Sequence, residues 1–531
     1  MRIGDIPRRN AFRHPDRTAL EAGAETVTWR AFNERINSLA AGLLELGLQR
    51  GDRIAALGPS SIELGETYFA AAKIGAVIVP IPTGLVGREI VFMLDDVGAR
   101  AIVVAADFAI RFAEDISTAR SLEWRIAIGG APNFIAYADL LVADAGEPLV
   151  SVNEDDMFAI RFTSGTTGLP KGVVSTHRDW LTRSRNFLLH IPHTSNDRAI
   201  LASPISLGMG SSLLMSYAYI GAHLVLQPRL DPAEFLGTIG SHRITTFMLP
   251  VPSQFSALLD DPAFAAADLT SLRIIGYGGA VFPVPLLERM IASFSCSIFG
   301  IYGALESGGF TTYLMPEDHT LEGISEQQRE ARIRRLRSCG REGLHADVRV
   351  IDEAGELKAP GEVGEMIIHT DAMIREYWNR PGEIEKALRD GWFHTGDGAW
   401  MDDEGYIFMS DRIKDVVRSG GMNISAVEIE AVLLGDPGVA EAAVIGIPHP
   451  YWTEALVAVV VLKPPATAHE PSLLQRCKDV LANYKVPKRI VFAQSLPKNS
   501  MDKVVKRELR ERFADLAATI PGARERAKEL R

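Results

Sequence analysis

The chain predicts an α/β fold: a large N-terminal domain of two stacked α/β layers plus a small β-rich unit, followed by a small α+β C-terminal domain. Three observations lead there. Amphipathic helices alternate with short apolar strands from Thr28 onward, the same alternation returns from Arg198, and after Pro360 the texture turns to Gly-rich hairpin signals.

In the first layer, apolar residues at helical spacing predict a helix over Trp29 to Leu46, and the run Arg53 to Leu57 predicts a buried strand. Ile62 to Lys73 and Val77 to Ile81 repeat the pair. Strands joined through helices run parallel. The second layer brings apolar runs at Arg198 to Ser203, Ala222 to Gln227, Thr245 to Leu249 and Leu272 to Tyr277, each followed by Gly, Pro or helical periodicity. Glu326 to Arg337 is charge-rich and reads as an exposed helix. The β-rich unit opens with Gly361-Glu362-Val363-Gly364-Glu365, whose glycines mark a turn, and continues in the alternating run Met366 to His369. It ends at the short polar stretch 411–414, which suits a boundary, so the expected division is 1–410 and 415–531.

With 531 residues and 47% hydrophobic content, the chain is long enough for roughly three or four structural units with large cores. Its net charge of −11 argues against nucleic acid as a partner. The stretch from Asn483 to Arg512 reverses the balance, with nine Lys or Arg against three Asp or Glu, and reads as a solvated face or a surface that meets a polyanion. Three cysteines, Cys296, Cys339 and Cys477, show no CxxC or zinc spacing. No run approaches the ~18 apolar residues of a membrane span, and neither terminus carries an apolar leader or a peroxisomal tripeptide. A cytoplasmic protein is expected.

The string Phe162-Thr163-Ser164-Gly165-Thr166-Thr167-Gly168-Leu169-Pro170-Lys171-Gly172 concentrates hydroxyls, glycines and one lysine. Glycines admit phosphate oxygens close to backbone N–H groups, Ser and Thr add side-chain donors, and Lys171 adds charge, so the string can cradle a polyphosphate. It is not an ordinary P-loop, because Pro170 stands where the second glycine belongs and Gly172 where the magnesium-binding hydroxyl belongs. On composition alone it could equally be a loop.

Further markers follow in order: Tyr302-Gly303-Ala304-Leu305-Glu306, Thr395-Gly396-Asp397, Asp411-Arg412-Ile413-Lys414-Asp415, Gly420-Gly421-Met422-Asn423-Ile424, and Pro497-Lys498-Asn499 leading to Lys503. Together they closely resemble the signature set of the adenylate-forming superfamily, which contains acyl- and aryl-CoA ligases, firefly-type luciferases and peptide-synthetase adenylation domains. The resemblance runs almost end to end. It implies an acid-CoA ligase that uses ATP, Mg2+ and CoA, with a C-terminal domain that rotates about Lys414 between two half-reactions.

The resemblance also implies roles. Thr163, Ser164, Gly165, Thr166, Thr167, Gly168 and Lys171 would hold the phosphates, and Glu306 would anchor Mg2+, a hard cation that takes few protein carboxylates when phosphates share it. Tyr302 would stack on adenine, with Gly303 beside it and Gly278, Gly279 and Ala280 lining the base. Asp397 would accept hydrogen bonds from both ribose hydroxyls, with Arg412 nearby. Lys503 would contact both the carboxylate and the α-phosphate. Gly420 and Gly421 would let a pantetheine arm pass close to backbone, and Trp452, Tyr484 and Lys488 would hold the CoA nucleotide. The motif at Lys503 departs from the commonest family form in having Met501-Asp502 before the lysine.

The acyl pocket is expected from Ser206, Leu207, Gly208, Ser253, Tyr277 and Ile301. Leu207 stands where many relatives carry a histidine or aromatic gate. The presumed wall segments contain no Lys or Arg to pair with a second carboxylate, so a neutral monocarboxylate is expected, be it aryl, alicyclic or fatty. The expected partners are thus a small carboxylic acid, ATP and CoA; a homodimer is compatible with the resemblance. Three alternatives stand beside this: transfer to a carrier-protein phosphopantetheine, luciferase-like oxygenation of the adenylate, and nucleotide binding without turnover.

Overall fold

The computed structural model describes residues 1–163, 170–412, 417–419, 422–424, 426–450, 452–464, 468–499 and 504–520, and the side chains of 411, 412, 418, 422 and 423 lie outside that description. Among the described residues the strands form four sheets. The sequence-predicted strands of the first layer appear as Arg53–Leu57 and Val77–Ile81, parallel to each other. They sit in a seven-stranded sheet that ends in the antiparallel pair Met157–Thr163 and Lys171–Thr176. The second layer is a nine-stranded sheet in which Ser297–Ala304, Ile274–Gly278, Thr246–Leu249, Arg198–Leu201 and His223–Leu226 lie side by side and parallel.

Helices fill the space between these two sheets. Ile62–Ile74 has every residue but Glu63 buried, as expected of a helix covered on both sides. One core joins Ile54, Ile78 and Val103 of the first sheet to Leu201, Leu224 and Phe299 of the second through Trp29, Phe32, Tyr68 and Phe69. Thr28 and Ser61 start the two helices by accepting from the N–H groups of Ala31 and Leu64.

The β-rich unit starts earlier than its Gly-rich turns suggest. Ala346–Ile351 already pairs with Gly364–Thr370, burying Val348 and Val350 while Arg349 faces out to Asp347. Gly364–Thr370 pairs on with Trp392–Met401, and Ile407–Arg412 closes that side. A fourth sheet begins at Val417–Ser419; its main ladder joins Val439–His449 to Thr453–Leu462, with Arg489–Phe492 added parallel. Ala426–Leu434 and Glu470–Val480 pack on it. Glu326–Arg335 is a helix with no buried residue.

Candidate active site

Parallel strands of an α/β sheet present ligands at their carboxyl ends. Here those ends carry the expected segments side by side: Pro204 to Gly210 after Arg198–Leu201, Val251 to Phe255 after Thr246–Leu249, Gly279-Ala280 after Ile274–Gly278, and Leu305-Glu306 after Ser297–Ala304. Gly279 has a φ of 91°, a conformation that favours glycine, and both it and Ala280 are exposed. A Cβ at Gly278 would lie 2.5 Å from Ile301, and one at Gly303 would lie 1.8 Å from the carbonyl oxygen of Gly309, so neither position admits a side chain.

The phosphate string lies at the end of the Met157–Thr163 and Lys171–Thr176 pair, where Thr163 faces Lys171 in register. Ser164, Gly165, Thr166, Thr167 and Gly168 lie outside the described residues. Lys171 Nζ donates to Glu383 Oε2 at 2.6 Å and sits 5.2 Å from the centre of the Tyr377 ring. The Tyr377 hydroxyl donates to Glu306 Oε1 at 3.2 Å. Lys386 pairs with the other oxygen of Glu383. With Lys171 as the main cause, the Glu383 carboxyl is pushed down to about 2.

Backbone bonds fix this group. Tyr377 bridges Val173, the Trp378 N–H donates to the Gly172 carbonyl at 2.8 Å, and the Ile374 N–H donates to the Glu306 carbonyl at 3.0 Å. The segment 374–378 thus straps the phosphate hairpin to the strand end that carries Glu306. Neither Tyr377 nor Glu383 belongs to a motif singled out in the sequence, and nothing at their chain positions announces a partner some 200 residues away.

Tyr302 and Asp397 come from different sheets and meet, the Tyr302 hydroxyl donating to Asp397 Oδ2 at 2.6 Å. Arg412 faces Asp397 across the strand ladder, with its side chain outside the described residues. In the fourth sheet Lys488 Nζ lies 4.6 Å over the Trp452 ring, bringing two of the three expected CoA-nucleotide residues together; Tyr484 is 41% exposed on the turn Asn483–Lys485. Gly420 and Gly421, Lys414 and Lys503 lie outside the described residues. Lys498 and Val504, which flank Lys503, pair backbone to backbone.

In the acyl region, Leu207 precedes the helix Gly208–Ile220, and a Cβ at Gly208 would lie 3.2 Å from Leu305, which covers it. The Ser206 hydroxyl is buried with no partner among the described residues. Ser253 is exposed, and Ile301 faces the core between the two sheets. The Tyr277 hydroxyl is hydrogen-bonded to His319 Nε2 at 3.0 Å, and its ring packs 4.5 Å from Phe282 in a separate core. Successive strand residues alternate faces, so the strand turns Gly278 and Tyr277 to opposite sides. Burial keeps His319 neutral, down to about 4, with its Nδ1 donating to the Met315 carbonyl.

Two arginines escaped the sequence reading. Arg161 interrupts the apolar strand Met157–Thr163 two residues before Thr163, and that lone charge in an apolar run was the available signal. Arg183 follows Trp180 by one turn in the helix His177–His190, which Thr176 and Asp179 start with a capping box. Both arginines are buried.

The AMP-binding enzyme family model matches residues 7–378, and the model of the AMP-binding enzyme C-terminal domain matches 428–503. The long-chain-fatty-acid–CoA ligase FadD13 of Mycobacterium tuberculosis is 35% identical over 500 residues, covering 93% of this chain and 94% of that protein. A feruloyl-CoA synthase of an Amycolatopsis species is 34% identical over 515 residues, covering 96% and 99%. The crystal structure of the anthranilate CoA ligase AuaEII in complex with anthranoyl-AMP superposes with a TM-score of 0.88 at 26% identity, covering 98% of each chain.

Proposed function

Because the chain belongs to the AMP-binding enzyme family, in the acyl-CoA ligase branch of the adenylate-forming superfamily, we propose that it joins a carboxylic acid to CoA through an acyl-adenylate. The observation that carries this reading is the convergence of Lys171, Glu306 and the Tyr302–Asp397 pair around one strand edge, though they come from three sheets.

In the first step a carboxylate oxygen attacks the α-phosphorus of ATP, the bond to the bridging oxygen breaks, and pyrophosphate leaves. Lys171 and the hydroxyl-rich string receive the departing charge, and Lys503 neutralises the two anions as they meet. Glu306 fits a Mg2+ site, since its single carboxylate suits a cation that phosphates and water also hold. That ion would supply neutralisation of phosphate charge. Tyr302 stacks on the base, and Asp397 accepts from the ribose. In the second step the CoA sulfur attacks the acyl carbon, its proton passes to solvent, and AMP leaves with the former carboxylate oxygen. For this step the unit beyond residue 414 turns about Lys414, withdrawing Lys503 and presenting Gly420 and Gly421 to the pantetheine arm, while Trp452 and Lys488 hold the CoA nucleotide.

The test is pyrophosphate release with Mg-ATP across a panel of carboxylic acids, each with and without CoA, with products identified by mass. A thioester formed only with a particular acid supports the ligase. Acyl-AMP that accumulates despite CoA points to a carrier-bound acceptor, and pyrophosphate release from no acid overturns the reading.

A further inference from the structure

Glu306 lies in the turn between Ser297–Ala304 and Gly309–Leu314 of the second sheet, and it is half-buried. Its Oε1 accepts from the Tyr377 hydroxyl at 3.2 Å, and its Oε2 accepts from nothing among the described residues. Arg161 and Arg183 attract its charge from a distance and bond to neither oxygen. A glutamate side chain turns about several bonds, and the contact that fixes an oxygen of this one is the Tyr377 hydroxyl.

Tyr377 is itself held at many points. It is 7% exposed and packs with Val173 and Ile374, with Leu305 against the same cluster. Its backbone bridges Val173, the Trp378 N–H reaches the Gly172 carbonyl, and the Trp378 indole and the Asn379 amide both donate to the Asp96 carbonyl, at 2.9 and 3.0 Å. Arg380 adds a 2.7 Å bond to Asp96 Oδ1. Asp96 belongs to the helix Gly87–Val97, whose Ile90, Leu94 and Val97 pack on the first sheet. The position of the hydroxyl is thus set from the first sheet, while Glu306 belongs to the second. The Tyr377 ring also lies 5.2 Å from Lys171 Nζ, within cation–π range. One side chain therefore meets both the expected metal carboxylate and the expected phosphate lysine. Carboxylates that hold metals are themselves hydrogen-bonded by neighbours that orient them, and removal of such a neighbour weakens the metal.

We propose that Tyr377 is a positioning residue of the first half-reaction: it fixes one oxygen of Glu306 and so leaves the other for the Mg2+ that accompanies ATP. The proposal rests on the ligase reading above, with Glu306 as the metal carboxylate. The hydroxyl acts through Glu306 and the ring acts on Lys171, so the two contributions separate by whether they need the metal.

The experiment is calorimetric titration of the full chain with ATP, once in Mg2+ and once in EDTA, and the quantity read is the ratio of the two dissociation constants. Tyr377→Phe keeps the ring and removes the donor. It is expected to weaken ATP binding in Mg2+ by roughly 10-fold, the lower end for the partner of a metal-holding carboxylate, and to leave binding in EDTA close to wild type. In a Glu306→Gln background the same substitution should add nothing, because the carboxylate it serves is gone. In adenylation assays Tyr377→Phe should raise the KM for Mg-ATP, recover in excess Mg2+, and leave the KM for the acid unchanged. An unchanged ratio, a loss of equal size in EDTA, or a full effect in the Glu306→Gln background overturns the proposal. A Glu306→Gln chain that keeps the wild-type ratio overturns it too, through the metal assignment. Should Tyr377→Phe not fold, Tyr377→Met, which also lacks the donor, carries the same readings. The ligase reading fails separately: a ratio that falls as expected, with pyrophosphate released from no acid, supports the positioning role and removes the ligase.

Discussion

At the scale of single residues, Glu383 holds Lys171, the cation proposed to meet the triphosphate. Its carboxyl is ionised throughout the working range, and it places a negative charge 2.6 Å from Lys171 Nζ. Glu383→Gln keeps an acceptor there and removes the charge. The KM for ATP is expected to fall by roughly 2–5-fold with a smaller change in kcat, and the difference should fade as salt rises, because both side chains are partly exposed. An unchanged or raised KM at low salt would count against this. Lys503→Ala is expected to abolish acyl-AMP formation while sparing thioester formation from supplied acyl-AMP, a split that single-turnover assays of the two steps can read. Thr163, Lys171, Glu306, Tyr302 and Asp397 are nominated by short motifs, and Lys171, Glu306, Tyr302 and Asp397 make contacts around the end of one strand. Glu383 and Tyr377 are not nominated by any motif, since each reaches those residues by a contact between distant stretches of chain that no local spacing encodes.

At the scale of elements, the hairpin of Ser297–Ala304 and Gly309–Leu314 sets the positions of both Tyr302 and Glu306. Its crossing requires glycine at 303, where a Cβ would strike the Gly309 carbonyl. Gly303→Ala should cost about 2 kcal/mol or more in stability through forced backbone movement. It should also lower kcat for adenylation more than the melting temperature alone would suggest, and urea unfolding beside pyrophosphate release checks both. The strands named from the sequence in the two large sheets lie within two residues of their observed bounds, because strands buried on both faces are continuous apolar runs. The edge strand Ala346–Ile351 was overlooked in favour of the glycine turns after it, although Val348 and Val350 alternate with charged Asp347 and Arg349.

At the scale of the whole molecule, stability depends on histidines buried neutral in separate parts of the large domain. The Ile3 N–H donates to His177 Nδ1, and the Tyr277 hydroxyl donates to His319 Nε2. Burial lowers each to about 4 from an ordinary value of 6.5. Between those values the unfolded chain takes up protons that the folded chain refuses. The stability they contribute is therefore complete above pH 6.5 and lost as pH falls toward 4, on the order of 3 kcal/mol for each. Urea midpoints measured from pH 7 to pH 4 should fall steeply, and His319→Gln should reduce the slope by about one proton. The division into two α/β layers, a β-rich unit and an α+β unit was legible because periodicity changes along the chain, whereas the strap over the phosphate hairpin was not. That strap has an optical consequence. Trp378, one of 7 tryptophans, binds the Gly172 carbonyl through its N–H, donates its indole proton to the Asp96 carbonyl, and has the Arg53 guanidinium 5.7 Å from its ring. An indole bound to the hairpin proposed to seat the triphosphate is an intrinsic fluorophore for its arrival, so ATP alone should change the emission of the wild type and leave that of Trp378→Phe largely unmoved.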